Sequence, residues 1–126
     1  MSKPLLIAIV DDDQAMREAL FDLLQVEGLS ARTFADATAF LAAAAVMEFD
    51  CLITDVRMPR IDGLELQQCL RARGSSIPVI FVTSDEGEVT RTQAMNGGAT
   101  AYLTKPLANA ELVRNLALAL ERRSGR

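Results

Sequence analysis

Residues 8 to 16 read AIVDDDQAM. An apolar run ends in three consecutive aspartates, and a helical-looking segment follows at once. Like charges about 4 Å apart repel by roughly 4 kcal/mol at an effective dielectric near 20, so these acids must be separated into different jobs or neutralised by a cation. An apolar run that stops at polar residues and then changes to helical period reads as one strand-then-helix unit. Whether that unit recurs decides the fold.

It recurs along the whole chain. LLIAIV (5 to 10), SARTF (30 to 34), DCLIT (50 to 54), PVIFVT (78 to 83) and TAYL (100 to 103) read as strands: short, mostly β-branched or aromatic, and bounded by turn residues. The first, third and fourth are apolar on both faces, as parallel strands covered by helices should be. Between them lie helix signals. Met16, Leu20, Leu23 and Leu24 form one stripe that Gly28 stops, and the alanine-rich stretch from Asp36 to Met47 has high helix propensity. Leu66, Cys69 and Leu70 line a helix ended by Gly74, Glu88 to Asn96 is closed by Gly97 and Gly98, and Leu112, Val113, Leu116 and Leu120 stripe the last helix. Five strand-helix units in strict alternation predict a single doubly wound α/β domain with right-handed crossovers.

Composition narrows the chemistry. The chain has 126 residues, half of them apolar, enough for one core, and no apolar run reaches the length that spans a bilayer. It reads as soluble and cytoplasmic, without a membrane role. Cys51 and Cys69 each fall inside an apolar pattern and read as two buried thiols. There is no histidine, which removes the commonest general base and zinc ligand, so the acids must carry any chemistry. A net charge of −4 with no basic stripe beyond Arg122, Arg123 and Arg126 argues against direct nucleic-acid binding by this chain. Only Lys3 and Lys105 are lysines.

In doubly wound sheets the ligand site lies at the carboxyl ends of the strands. Asp11, Asp12 and Asp13 follow the first strand, Asp55 the third, Thr83 and Ser84 end the fourth, and Lys105 and Pro106 follow the fifth. Carboxylates from two neighbouring strand ends suit a hard divalent cation such as Mg²⁺. Sharing a metal with a phosphoryl donor suits Asp55 as a nucleophile, with Lys105 as a point charge and the Thr83 hydroxyl as a donor to the same phosphate. Taken singly, each residue also has a plain reading: an aspartate or threonine at a strand-to-helix junction is often an N-cap, and Lys105 alone is a surface lysine. Only their joint placement favours a phosphoryl-transfer site.

At this point the chain resembles a receiver domain of bacterial two-component response regulators, from Lys3 to about Arg122. The resemblance rests on IVDDD (9 to 13), LITDVRMPRIDG (52 to 63), PVIFVTS (78 to 84), AMNGGATAYLTKP (94 to 106) and the amphipathic last helix. The variety most similar precedes helix-turn-helix output domains. The resemblance implies a flavodoxin-like fold, a five-stranded parallel sheet in the order 2-1-3-4-5 with five helices. It implies a receiver over residues 1–122, with 123–126 a basic tail or the start of a linker. It makes Asp55 the phosphoacceptor and assigns the Mg²⁺ site to Asp11, Asp12, Asp55 and the backbone carbonyl of Arg57, Mn²⁺ being able to substitute. Lys105 matches the family's lysine ahead of a commonly cis proline peptide, Thr83 the switch hydroxyl, and Tyr102 the aromatic switch whose ring moves inward.

The same resemblance implies a phosphorylation-activated signalling switch rather than an enzyme acting on external substrates. The donor would be the phosphohistidine of a sensor histidine kinase or phosphotransfer protein, docking near Ala15 and Met16. Phosphorylation would reshape the face of the fourth helix, fifth strand and fifth helix and drive homodimerisation or engagement of an output partner, with transcription regulation as the expected output. Leu118 lies opposite the buried stripe of the last helix, on that face. Arg57 and Asp85 can pair across the site and gate the hydrolytic water, or stand as two solvated side chains. Asp13 is left to cap the first helix or face solvent. A haloacid-dehalogenase-like phosphatase fits worse, because position 15 is alanine and there is no room for a cap domain. No GxGxxG or GxxxxGK run follows any strand, which leaves little for a nucleotide-binding module.

Overall fold

The computed structural model describes residues 5–124, with side chains through Glu121. Five strands, β1 (Leu6–Val10), β2 (Ser30–Phe34), β3 (Cys51–Thr54), β4 (Val79–Thr83) and β5 (Ala101–Thr104), alternate with α1 (Gln14–Val26), α2 (Ala37–Ala44), α3 (Gly63–Ala72), α4 (Glu88–Asn96) and α5 (Asn109–Ser124). All strand pairs are parallel, and the sheet order is β2-β1-β3-β4-β5, as expected. β1, β3 and β4 are buried along almost their whole length because both faces are covered, with Thr54 and Thr83 ending β3 and β4, whereas the edge strand β2 carries exposed positions.

Two apolar layers sandwich the sheet. On one face α1 and α5 bring Leu20, Leu24, Leu112 and Leu116 onto Ile7, Ile9, Ile53, Ile80 and Val82. On the other, α2, α3 and α4 bring Phe40, Leu41, Leu66, Leu70 and Ala94 onto Ala8, Val10, Leu52 and Phe81. In α5 the burial differs from the expected stripe: Val113 is only half-buried and Ala119 is fully buried, so a small residue, not a large one, meets the sheet there. The alanine-rich stretch also stops early. α2 ends at Ala44, and residues 45 to 47 turn, with Met47 N–H donating to Ala43 O, so that Phe49 can join Phe34 and Phe40 in an aromatic cluster with centroids 5.3–5.9 Å apart. Burial of Phe49 outweighs the propensity of the alanines. Neither cysteine is in a disulfide; Cys51 is buried and Cys69 half-buried. No helix among the described residues is long and apolar enough to cross a membrane.

The start of α3 sets the position of the loop that follows β3. Asp62 caps it in a reciprocal capping box with Glu65, and Gly63 N–H donates to Val56 O at 2.8 Å. A Cβ on Gly63 would lie 2.1 Å from the backbone oxygen of Asp55 and 3.0 Å from Val56 Cα. Those atoms belong to backbone that cannot move aside without displacing Asp55. Gly63→Ala should therefore destabilise the domain by about 2 kcal/mol or more, as overpacking does. Urea denaturation would show this as a lower midpoint at unchanged slope, and an unchanged midpoint would contradict the close approach.

Candidate functional site

The strand order places the carboxyl ends of β1, β3, β4 and β5 side by side, and the polar residues expected there converge on one rim. Asp11 follows β1 and is 2% exposed. It is held on three sides. Its N–H donates to Phe34 O, its carbonyl accepts from Arg17 Nη1 at 2.7 Å, and its Oδ1 accepts from Asp13 N–H at 2.9 Å. Asp13 in turn caps α1, its Oδ1 accepting from the N–H groups of Ala15 and Met16 at 3.0 and 3.4 Å. The middle acid, Asp12, points outward and is exposed. Thus three adjacent carboxylates are separated by direction: one inward, one outward, one along the helix.

Asp55 stands on the neighbouring strand end. Its Oδ1 accepts from the backbone N–H of Val56 at 2.6 Å and of Arg57 at 3.3 Å. This anchors the carboxylate and directs Oδ2 at Lys105, whose Nζ lies 3.2 Å from it and 3.7 Å from Asp11 Oδ2. Lys105 reaches the rim from the end of β5, where its N–H donates to Thr83 O and its peptide bond to Pro106 is cis. Burial raises the pKa of Asp11, because removal from water disfavours its charge more than the Asp13 N–H and Lys105 favour it. For Lys105, burial works toward a lower pKa, but Asp11 and Asp55 outweigh it and the net direction is upward. Each charge is held in place by the others.

Thr83 is fully buried at the end of β4, and its Oγ1 accepts from Asp85 N–H at 3.1 Å, which leaves its own O–H to donate. Tyr102 is 5% exposed: its ring lies inward, 6.0 Å from Phe81, beneath the Arg91 guanidinium at 4.8 Å. Its hydroxyl donates to Asp85 O at 2.7 Å. Burial, and after it the Asp85 charge, raises its pKa.

Arg57 and Asp85 are paired, so the reading of two independent solvated side chains does not hold. Asp85 does more than its sequence position suggests. Its Oδ1 accepts from Gly87 N–H at 2.8 Å, its Oδ2 from Thr90 Oγ1 at 3.1 Å and from Arg57. The Gly87 N–H and then Arg57 hold its carboxyl below the usual range. Arg17 and Thr90 were not singled out from the sequence, though Arg17 carried a faint signal as a cation one helical turn after the acidic run.

Among the described residues, no three histidine, cysteine, aspartate or glutamate side chains stand close enough together to hold a metal ion. The donors present on the rim are carboxylate and backbone oxygens. That chemistry suits a hard cation that completes its shell with water and phosphate oxygens, as Mg²⁺ does, rather than an all-protein cage.

Comparison with known proteins agrees with this geometry. Residues 7–117 match the family model described as response regulator receiver domain. The chain is 38% identical over 122 residues to the transcriptional regulatory protein FixJ of Azorhizobium caulinodans, covering 97% of this chain and 58% of that protein. It is 39% identical over 115 residues to the response regulator protein TmoT of Ectopseudomonas mendocina, covering 91% of this chain and 52% of that one. The chain thus spans about half the length of these relatives. Among solved structures, full-length FixJ from B. japonicum superposes with a TM-score of 0.89 at 34% identity, over 97% of this chain and 60% of that one. The receiver domain of an HD domain-containing protein from Pseudomonas fluorescens Pf-5 gives 0.92 at 28% identity, over 98% and 100%. With the family model spanning most of its length and the fold to match, the chain belongs to the receiver domains of two-component response regulators.

Proposed function

We propose that Asp55 accepts the phosphoryl group, helped by Lys105, Thr83 and a cation at Asp11, Asp12, Asp55 and the Arg57 carbonyl, a set that must draw closer than it stands here to grip the ion. The single observation that carries this reading is the placement of Lys105 Nζ 3.2 Å from Asp55 Oδ2 and 3.7 Å from Asp11 Oδ2. With Oδ1 anchored by two backbone N–H groups, Oδ2 is the oxygen directed into the rim. It attacks phosphorus, the bond from phosphorus to the donor nitrogen breaks, and that electron pair stays on the donor imidazole. Lys105 then faces the transferred phosphoryl oxygens and the Thr83 O–H turns to donate to one of them. Mg²⁺, or Mn²⁺ in its place, supplies charge neutralisation of the transferring oxygens when bound. The chemistry is limited to gain and loss of the domain's own phosphoryl group.

The donor is the phosphohistidine of a sensor histidine kinase or phosphotransfer protein. Supporting this, a groove of about 260 Å³ lined by Met16, Ala19, Leu20, Leu23, Pro106 and Leu107 ends at Lys105. An apolar helical surface carrying the histidine would fit there, beside Ala15 and Met16. Elsewhere, Val89 and Met95 on α4 and Leu118 on α5 are exposed apolar residues, 73, 44 and 47% accessible. They support the α4-β5-α5 face as the surface through which the phosphorylated domain dimerises or engages an output. Since FixJ is named a transcriptional regulator, transcription is the output we assign, from a cytoplasmic chain whose receiver unit is residues 1–122; of the basic tail or start of a linker assigned to 123–126, 123 and 124 continue α5 and 125–126 lie outside the described residues.

Incubation with Mg²⁺ and acetyl phosphate should add one phosphoryl group by intact mass, lost in Asp55→Asn. Continued release of phosphate from an external monoester, or phosphorylation surviving in Asp55→Asn, would refute the assignment. For the cation, Asp12→Ala should weaken Mg²⁺ binding measured calorimetrically by at least about tenfold, the effect of removing a charged ligand. Asp13→Ala should leave it within about twofold and lower stability by about 1 kcal/mol through the lost cap; equal effects of the two would overturn the division of the acidic run. Leu118→Glu should keep phosphorylation and reduce phosphate-dependent dimerisation in sedimentation velocity. Unchanged sedimentation of the phosphorylated variant would remove Leu118 from the interface.

A further inference from the structure

α4 is anchored differently from the other helices. Ala94 is its one buried residue, and its N-cap, Gly87, has no side chain to offer. What holds it is polar and concentrated at its two ends. At the N-terminal end, Asp85 accepts from Gly87 N–H and Thr90 Oγ1, and Arg91 lies over the Tyr102 ring with Nη1 donating to Tyr102 O at 3.3 Å.

The C-terminal end is held by α3. Gln67, 2% exposed, donates from Nε2 to Ala94 O at 3.0 Å. Arg71 donates from Nε to Gly97 O at 3.1 Å and from Nη2 to Gly98 O at 3.3 Å, while its Nη1 reaches Ser75 O and Ile77 O at 3.1 and 2.8 Å. One guanidinium therefore joins the end of α4 to the turn leading into β4. The last carbonyls of a helix lack intrahelical donors and carry its negative dipole end, so a cation with several fixed donors suits them. α4 has no basic residue of its own in its last turn. The fit is close: a Cβ on Gly97 would lie 2.4 Å from Gln67 Oε1. Burial pulls the Arg71 pKa below its usual value, and its acceptors are all backbone carbonyls.

The two ends differ in what they are wired to. Asp85, at the N-terminal end, shares Arg57 with the loop that carries Asp55. Among the described residues, the side-chain hydrogen bonds of Gln67 and Arg71 run to the turn before β4 and to the end of α4. A phosphoryl group on Asp55 would compete with Asp85 for Arg57 and draw on Thr83, which accepts from Asp85 N–H. It has no comparable hold on Arg71.

We propose that Arg71 and Gln67 are positioning residues that pin the C-terminal end of α4. The response to phosphorylation is then a release of its first turns, carrying Val89, about a fixed end. This rests on Asp55 being the phosphoacceptor. It would make exposure of the α4 surface graded, largest at Val89 and smallest toward Met95.

Residue-resolved amide hydrogen exchange of the full chain, before and after Mg²⁺ and acetyl phosphate, tests it. In the wild type, phosphorylation should speed exchange at Arg91, Thr92 and Gln93 by about tenfold or more while Gly97, Gly98 and Ala99 change by less than about twofold. Arg71→Met should spread the acceleration to Gly97, Gly98 and Ala99 at an unchanged extent of phosphorylation. In the unphosphorylated protein, Asp85→Ala should release residues 91 to 93 and leave 97 to 99 protected, an arm that needs no phosphoryl group. If the wild type takes no phosphoryl group, the assignment of Asp55 fails and the Asp85→Ala arm alone decides the pin. Uniform acceleration along α4, or an Arg71→Met protein whose C-terminal amides behave as in the wild type, would overturn the proposal.

Discussion

Asp11 is a buried carboxylate whose charge is disfavoured by its removal from water and favoured by Lys105. The parallel topology makes that possible, because it sets the ends of β1, β3 and β5 within reach of one lysine side chain. Lys105 faces Asp11 and Asp55 together, and the net direction of its pKa is upward despite its own burial. One cation facing two carboxylates leaves an excess of negative charge, to which the outward Asp12 adds. A rim in that state favours the arrival of a further cation. The acidic run and the lone lysine are halves of one electrostatic constraint.

Asp85 transmits that constraint outward. Its N–H donates to Thr83, its carbonyl accepts from Tyr102, and its carboxylate joins Arg57 to the start of α4. The Tyr102 ring lies inward against Phe81. The hydrogen bond to Asp85 O and the Arg91 guanidinium over the ring stabilise that position.

Much of this was legible in the sequence, and the reasons are local. Ile7, Ile9, Leu52, Ile53, Val79 and Ile80 announce buried parallel strands because no face of theirs is wet. Asp11, Asp55, Thr83 and Lys105 could be grouped because strand ends in alternating α/β chains share one rim. What stayed hidden depends on direction or distant backbone. Ala119 reads as neutral, and only the tilt of α5 decides that it, and not Val113, meets the sheet. Arg71 has no acidic residue at a telling spacing because its partners are carbonyls, which every residue carries. Asp85 gave away its charge but not that its main chain and side chain serve four elements.

Strain and charge collect at one edge of the molecule, and the magnitudes show that the core supports them. Arg60, in the loop after β3, has φ +68, a left-handed conformation that costs a non-glycine residue on the order of 1–3 kcal/mol. Its ion pair with Asp36, the cap of α2, is 3.0 Å long, but the Arg60 side chain is 70% exposed, and such pairs contribute at most about 1 kcal/mol. The pair does not offset the strain. What holds Arg60 is closure of the loop, pulled tight by Gly63 pressing on the Asp55 backbone and by Val56 and Met58, both buried in the layer beneath. The loop that begins at Asp55 is thus held from below by α3 and the core. α4, with a single buried residue, has no such support, so perturbation at the rim is passed to the element that apolar packing holds least.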